Sequence, residues 1–292
     1  MQVPKHLYLF ASQYLDLGGI RCHYLDEGKG DPVVMVHGNP TWSFYYRNLI
    51  LALRPTHRCI AIDHVGCGMS DKPSARHYDF SLRRRIDDLE ALLEHLQLRE
   101  NITLVLHDWG GMIGMGYAVR HPERVKRFVI LNTGAFHLPK SKPFPMALWL
   151  GRNTWLGALL ITRLNLFCRA AAWVGTKRKK LADDVRQGLL APYDSPAHRL
   201  AVLKFVQSIP LKPSDAGYDL VSEIECGLEQ FRNRPMLIAW GLKDFVFDRH
   251  FLDEWLRRFP EAEVMRFEDC GHYILEDAAD EIIGRVRQFV AG

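Results

Sequence analysis

Val105-Leu106-His107-Asp108-Trp109-Gly110-Gly111 is the stretch on which the reading of this 292-residue chain turns. The apolar residues up to Leu106 suit a short buried strand, and the paired glycines suit a tight turn that opens a helix. A side chain at the tip of such a turn stands above the sheet on a strained backbone. The residue at that tip is Asp108, where a serine would make an acyl-transfer site. A carboxylate is a poor acyl-transfer nucleophile. It is a competent attacker of an sp3 carbon that carries a leaving group, and the product is an alkyl ester on the protein. The stretch therefore points to chemistry at saturated carbon.

Outward from this turn, short β-branched apolar runs alternate with longer amphipathic ones, the pattern of parallel strands joined by crossover helices. Strands are expected at 20–25, 33–36, 59–62, 103–106, 128–131, 236–240 and 264–267, with 14–17 as an antiparallel edge. Helices are expected at 43–53, 82–96, 111–120, 249–258 and 279–290. The rhythm breaks between about 135 and 234, a segment rich in proline, tryptophan and helix-compatible apolar residues. The expected organisation is an α/β core over 1–134 and 235–292 with a helical cap over 135–234, folded above the site.

The composition is that of a globular chain with a sizeable core: 48% hydrophobic, 25% charged, net charge +4. That mild basicity does not argue for nucleic acid. The six cysteines are scattered, with no CxxC and no histidine at metal spacing, so reduced thiols in the cytoplasm and no metal or cofactor are expected. The first ten residues lack the pattern of a signal peptide, and no apolar run approaches the ~18 residues of a membrane span. The loop with Gly66 and Gly68 lacks Rossmann spacing and a Walker lysine, and reads as turn geometry. From 135 to 181 there are nine lysines and arginines and no acidic residue, with Trp149, Trp155 and Trp173 interleaved. This can be a solvated outer face over an apolar tunnel, or a surface that meets anionic lipid or an acidic partner protein.

Ligands of an open parallel sheet sit beyond the strand ends. The strand ends here carry His37-Gly38-Asn39-Pro40, Asp63-His64-Val65-Gly66, Asp108-Trp109, Lys243-Asp244 and Cys270-Gly271-His272. Nucleophile, acid and histidine occur in that chain order. Attack by Asp108 would expel an anion, which needs donors where charge develops. The Trp109 indole N–H and the Asn39 side-chain amide can supply two, and the backbone N–H groups of both can form an oxyanion hole. His272 can deprotonate a water that hydrolyses the ester.

These motifs, HGNPTW at 37–42, DxxGxGxSD at 63–71 and HDWGG at 107–111, resemble the α/β-hydrolase superfamily and specifically its haloalkane dehalogenase group. The resemblance spans essentially the whole chain. It implies a mostly parallel eight-stranded sheet flanked by helices with an inserted helical cap. It also implies Asp108 as nucleophile, His272 as base and Asp244 as the orienting acid. Asp248 is a weaker candidate for the acid, and Leu131-Asn132-Thr133, where some relatives carry it, offers no carboxylate. Asn39 argues against the epoxide hydrolases of this fold, and Trp109 against fluoroacetate dehalogenases.

Within the group, the chain is similar to the β-lactone decarboxylases of bacterial long-chain olefin biosynthesis. The similarity lies in HDWGGMIG at 107–114, Ala191-Pro192-Tyr193-Asp194, Ile209-Pro210-Leu211, AWGLKD at 239–244 and GHYILED at 271–277. The resemblance implies that Asp108 opens a cis-3,4-dialkyl β-lactone and that loss of CO2 then leaves a cis-alkene, with no water consumed. Attack at the ring sp3 carbon and attack at the lactone carbonyl both remain open. The alternative is a haloalkane dehalogenase that converts 1-haloalkanes into primary alcohols and halide, and a non-catalytic binding subunit is a third reading. The expected partners are a lipophilic small molecule and, through the basic cap, other olefin-forming enzymes or an anionic membrane surface. Chain-length preference and oligomeric state are not legible.

Overall fold

The computed structural model describes residues 3–292. Eight strands form one sheet: β1 (Gln13–Asp16), β2 (Arg21–Glu27), β3 (Pro32–Val36), β4 (Arg58–Ile62), β5 (Ile102–Asp108), β6 (Val125–Thr133), β7 (Met236–Gly241) and β8 (Glu263–Phe267), in the order β1-β2-β4-β3-β5-β6-β7-β8. β1 is the antiparallel edge expected from sequence, and β2, antiparallel to both β1 and β4, is the one strand that runs against the rest. All other pairings are parallel. From β3 the chain turns one way to β4 and the other way to β5, which puts the topological switch point at the ends of β3 and β5.

The helices are α1 (Arg47–Leu53), α2 (Leu82–His95), α3 (Trp109–Arg120), α4 (Met146–Asn153), α5 (Trp155–Thr162), α6 (Leu166–Val174), α7 (Asp183–Leu190), α8 (Leu200–Gln207), α9 (Tyr218–Gly227), α10 (Arg249–Arg258), α11 (Ile274–Asp277) and α12 (Ala279–Ala291). The helix expected from residue 43 opens as a 3-10 turn, Ser43–Tyr46, and becomes α-helical at Arg47. Alternate strand residues feed two cores. Val34, Ile60, Leu104, Ile130 and Ile238 pack with α2, α3, α9 and α10. Val33, Met35, Val105, Val129 and Leu237 pack with α1 and α12. Because both faces are covered, the central strands read as continuous apolar runs.

Helices α4 to α9 lie between β6 and β7. α4, α5 and α8 pack together, with Ile161, Cys168, Val202 and Val206 in a small core of their own. α9 departs from the expected cap: Leu220, Val221 and Ile224 join the main core and the helix packs on α3. The helices above the strand ends are therefore α4 to α8, while α9 belongs to the flanking layer.

Candidate active site

The turn after β5 is forced by close approach. A Cβ on Gly110 would lie 1.8 Å from the Val36 carbonyl oxygen, so only glycine lets α3 start hard against the end of β3. Asp108 sits at φ 53 and ψ −125. Such a conformation costs about 1–3 kcal/mol and persists where surrounding structure holds it. Here Thr133 Oγ1 donates to the Asp108 carbonyl, and the Asn39 backbone N–H donates to Asp108 Oδ1 at 2.6 Å. Gly38 leaves room for that carboxylate, since a Cβ there would fall 1.9 Å from Asp108 Oδ1.

His272 stands between two carboxylates. Its Nδ1–H donates to Asp244 Oδ2 at 2.7 Å, and its Nε2 lies 3.4 Å from Asp108 Oδ2. Burial favours the neutral ring, but the charges of Asp244 and Asp108 outweigh it and push the imidazole up to about 10. Burial likewise opposes ionisation of Asp244, yet His272 and the Val246 N–H hold its carboxyl below the usual range. Asp248 is used elsewhere: it caps α10 through the His250 N–H and pairs with Lys142 Nζ at 2.5 Å.

Two further residues hold this pair in place: Asn132, which the sequence left without a role, and His107, which it reads as a packing or hydrogen-bonding neighbour of the nucleophile. Asn132 accepts from the Gly241 N–H at 2.8 Å and donates from Nδ2 to the Gly241 carbonyl and to Asp244 Oδ2, at 3.0 and 3.1 Å. His107 is buried beside the elbow, and its Nε2–H donates to the His272 carbonyl at 2.9 Å. Burial, reinforced by His272, drives its own pKa down to about 3, so it serves as a neutral strut. The signal for Asn132 was in the chain as a polar residue ending a buried strand, but its partners lie about a hundred positions away.

Behind His272 the loop is tied to the cap. Asp277 accepts from the backbone N–H groups of Gly271, Lys177, Arg178 and Lys179, and the Tyr273 N–H donates to the Gly175 carbonyl at 2.7 Å.

Asn39, Asp108, Trp109 and His272 meet in one cavity of about 240 Å³. Its remaining wall is largely apolar and comes from the cap and the loop after β7, with Leu148, Phe167, Val206, Phe245 and Phe247 prominent. The Asn39 side-chain amide is not free for the cavity alone, because Nδ2 donates to the Val202 carbonyl of α8 at 3.2 Å. One amide proton remains for a ligand, and the same bond ties the β3 loop to the cap. The Trp109 ring packs 5.5 Å from Phe205 at the edge of the cavity. Such a site can hold an apolar molecule with one electrophilic carbon at the carboxylate. Among the described residues no group of three or more His, Cys, Asp and Glu side chains is placed to hold a metal, and no cysteine forms a disulfide.

Sheet order, cap insertion and strand-to-helix turn agree with the profile of the alpha/beta hydrolase fold, which matches residues 31–279, and the chain belongs to that family. It is 58% identical over 281 residues to the Shewanella oneidensis protein named cis-3-alkyl-4-alkyloxetan-2-one decarboxylase, covering 96% of this chain and 88% of that one. It is 30% identical to haloalkane dehalogenase 2 of Mycobacterium tuberculosis, over 96% of this chain and 95% of that one. In shape it resembles the crystal structure of the haloalkane dehalogenase DatA from Agrobacterium tumefaciens, with a TM-score of 0.85 at 22% identity, covering 96% of both chains.

Proposed function

We propose that this enzyme decarboxylates cis-3,4-dialkyl β-lactones to cis-alkenes, with Asp108 as nucleophile. The observation that carries the reading is the Asp108 carboxylate at the floor of an apolar cavity, its Oδ1 aligned by the Asn39 N–H and its Oδ2 facing His272. The identity with the Shewanella oneidensis decarboxylase supports the choice of substrate.

Asp108 attacks the sp3 ring carbon bonded to the ring oxygen. The C–O bond breaks and its electron pair goes to the freed carboxylate, near Asn39 and Trp109. The bond to CO2 then breaks, its electrons form the alkene, and Asp108 departs from the neighbouring carbon. Inversion in the first step and anti departure in the second together turn a cis lactone into a cis alkene. No water and no proton are consumed. His272, held protonated by its two carboxylate neighbours, stabilises Asp108 as it regains its charge. Asp244 and Asn132 orient the imidazole.

The test offers the purified protein a cis-3,4-dialkyl β-lactone in one vial and 1-iodobutane in another. Gas chromatography reads alkene and an ion assay reads halide. Alkene with little halide is expected. Fast halide release with the lactone untouched would make the chain a dehalogenase and overturn the substrate, leaving Asp108 in its role.

A further inference from the structure

The outer face of α4, α5 and α6 is unusually greasy. Each helix buries one stripe: Leu148 and Gly151 on α4, Gly157 and Ile161 on α5, Cys168 and Ala172 on α6. The opposite stripes carry large apolar side chains in solvent. Met146 and Trp155 are each 76% exposed and Trp173 is 64% exposed, with Trp149, Leu156 and Leu166 also on the surface. Exposed apolar side chains cluster here as they rarely do on a monomer's free surface. No single described helix is long and apolar enough to cross a membrane, and α5 and α6 are bent by 70° at their junction.

Charge surrounds this face. Of the nine bases between 135 and 181, Lys142, Arg152 and Arg178 are spent on internal ion pairs with Asp248, Asp215 and Asp269. Lys140, Arg163, Arg169, Lys177, Lys179 and Lys180 are exposed and, among the described residues, have no ion-pair partner. The next acids along the chain, Asp183 and Asp184 at the start of α7, already pair with Arg186 and His6, and Asp277 is taken up by the backbone N–H groups of Lys177, Arg178 and Lys179. Arg186 also lies 4.5 Å over the Trp173 ring.

The cavity opens on the same side. Ala147 of α4, Ala170 and Val174 of α6, and Phe245 all line it and are all exposed. The cavity that holds Asp108 thus shares exposed lining residues with α4 and α6, the helices that carry the apolar face.

We propose that this face docks on an anionic lipid surface and that the mouth between α4 and α6 takes its lipophilic substrate directly from the bilayer. The combination of apolar residues with exposed basic side chains is what an anionic headgroup layer fits: tryptophans and leucines enter the acyl boundary while lysines and arginines meet the headgroups. A second copy of this chain would bring the same positive rim against itself. Docking stands on the surface alone, while uptake from the lipid rests on the substrate reading above.

The test is flotation of the full chain with phosphatidylcholine vesicles, with and without phosphatidylglycerol. Binding is expected with phosphatidylglycerol, about tenfold or more above the neutral vesicles, and it should fall at about 1 M salt, where the screening length shrinks to ~3 Å. Trp155→Ser with Trp173→Ser, neither of which lines the cavity, should lower binding about tenfold or more. The same variant should keep its unfolding midpoint and its turnover of a short-chain lactone in detergent. The proposal is overturned if the wild type binds neither vesicle or binds both equally, or if it is a dimer in solution that the double variant makes monomeric. An inactive protein that still floats with anionic vesicles would sink the substrate reading and leave the docking surface standing.

Discussion

Asp244→Asn isolates the charge that holds His272 protonated. The substitution keeps the shape of the side chain and its oxygen for the Val246 N–H, and removes the anion 2.7 Å from His272 Nδ1. With charge centres about 4 Å apart and an effective dielectric near 20, the lost attraction is about 4 kcal/mol, or roughly three pH units. The imidazole should drop from about 10 to about 7. The sign for stability follows from the direction of the shift. A folded-state value raised above the unfolded one, roughly 6.5, adds stability that is complete below pH ~6.5 and lost as pH rises towards the folded value. Wild-type stability should therefore decline by about 1.4 kcal/mol per pH unit between pH ~7 and ~9, and the variant should lose most of that slope. The assay is an NMR titration of the His272 ring, paired with urea unfolding across the same range. A variant ring that still titrates above pH ~9, with the alkaline slope unchanged, would refute Asp244 as the source of the charge.

Asp108→Asn should cut lactone turnover by about 10^4-fold or more, as removal of a nucleophile does; alkene formed at the wild-type rate would remove the residue from its role. Gly38→Ala places a methyl group 1.9 Å from the unshifted Asp108 Oδ1. The carboxylate must move, and a loss of about 100-fold in kcat is expected, with the check being single-turnover kinetics at saturating lactone. Asn132→Ala strips the Gly241 N–H of its side-chain partner, leaves the Gly241 carbonyl only the Asp244 N–H, and frees Asp244. The expected cost is about 1–3 kcal/mol of stability in urea, together with a lower kcat at near-constant KM; an unchanged kcat would leave Asn132 a purely structural residue.

Much of the architecture was legible because it is written locally. Central strands such as β5 and β7 are short, largely apolar runs, and both faces bury them, so no polar alternation blurs their limits. The elbow was readable because Gly110 and Gly111 follow a strand directly, and a close approach of backbone to backbone leaves no other residue room there. Asp108, Asp244 and His272 could be singled out because each ends or follows a strand that ligands meet. What stayed hidden depends on long-range contact. Nothing near Asn132 announces that its amide will reach the loop carrying Asp244. The bond from Asn39 to Val202 links residues 163 positions apart. α9 reads as one more amphipathic helix of the inserted segment, and its place in the main core follows from packing against α3 rather than from its pattern.

The Asp277 carboxylate, gathering N–H groups from Gly271 and from Lys177 to Lys179, works as a rivet through the back of the lid. The lid is fastened elsewhere too, by Lys142 ahead of α4 to Asp248 and by the Val202 carbonyl of α8 to Asn39, so it is anchored at three separate points. The imidazole sits five residues from the rivet. The carboxylate that fastens the lid is thus a different one from the carboxylate that holds the imidazole, and the bond between His272 and Asp244 carries none of the lid's attachment.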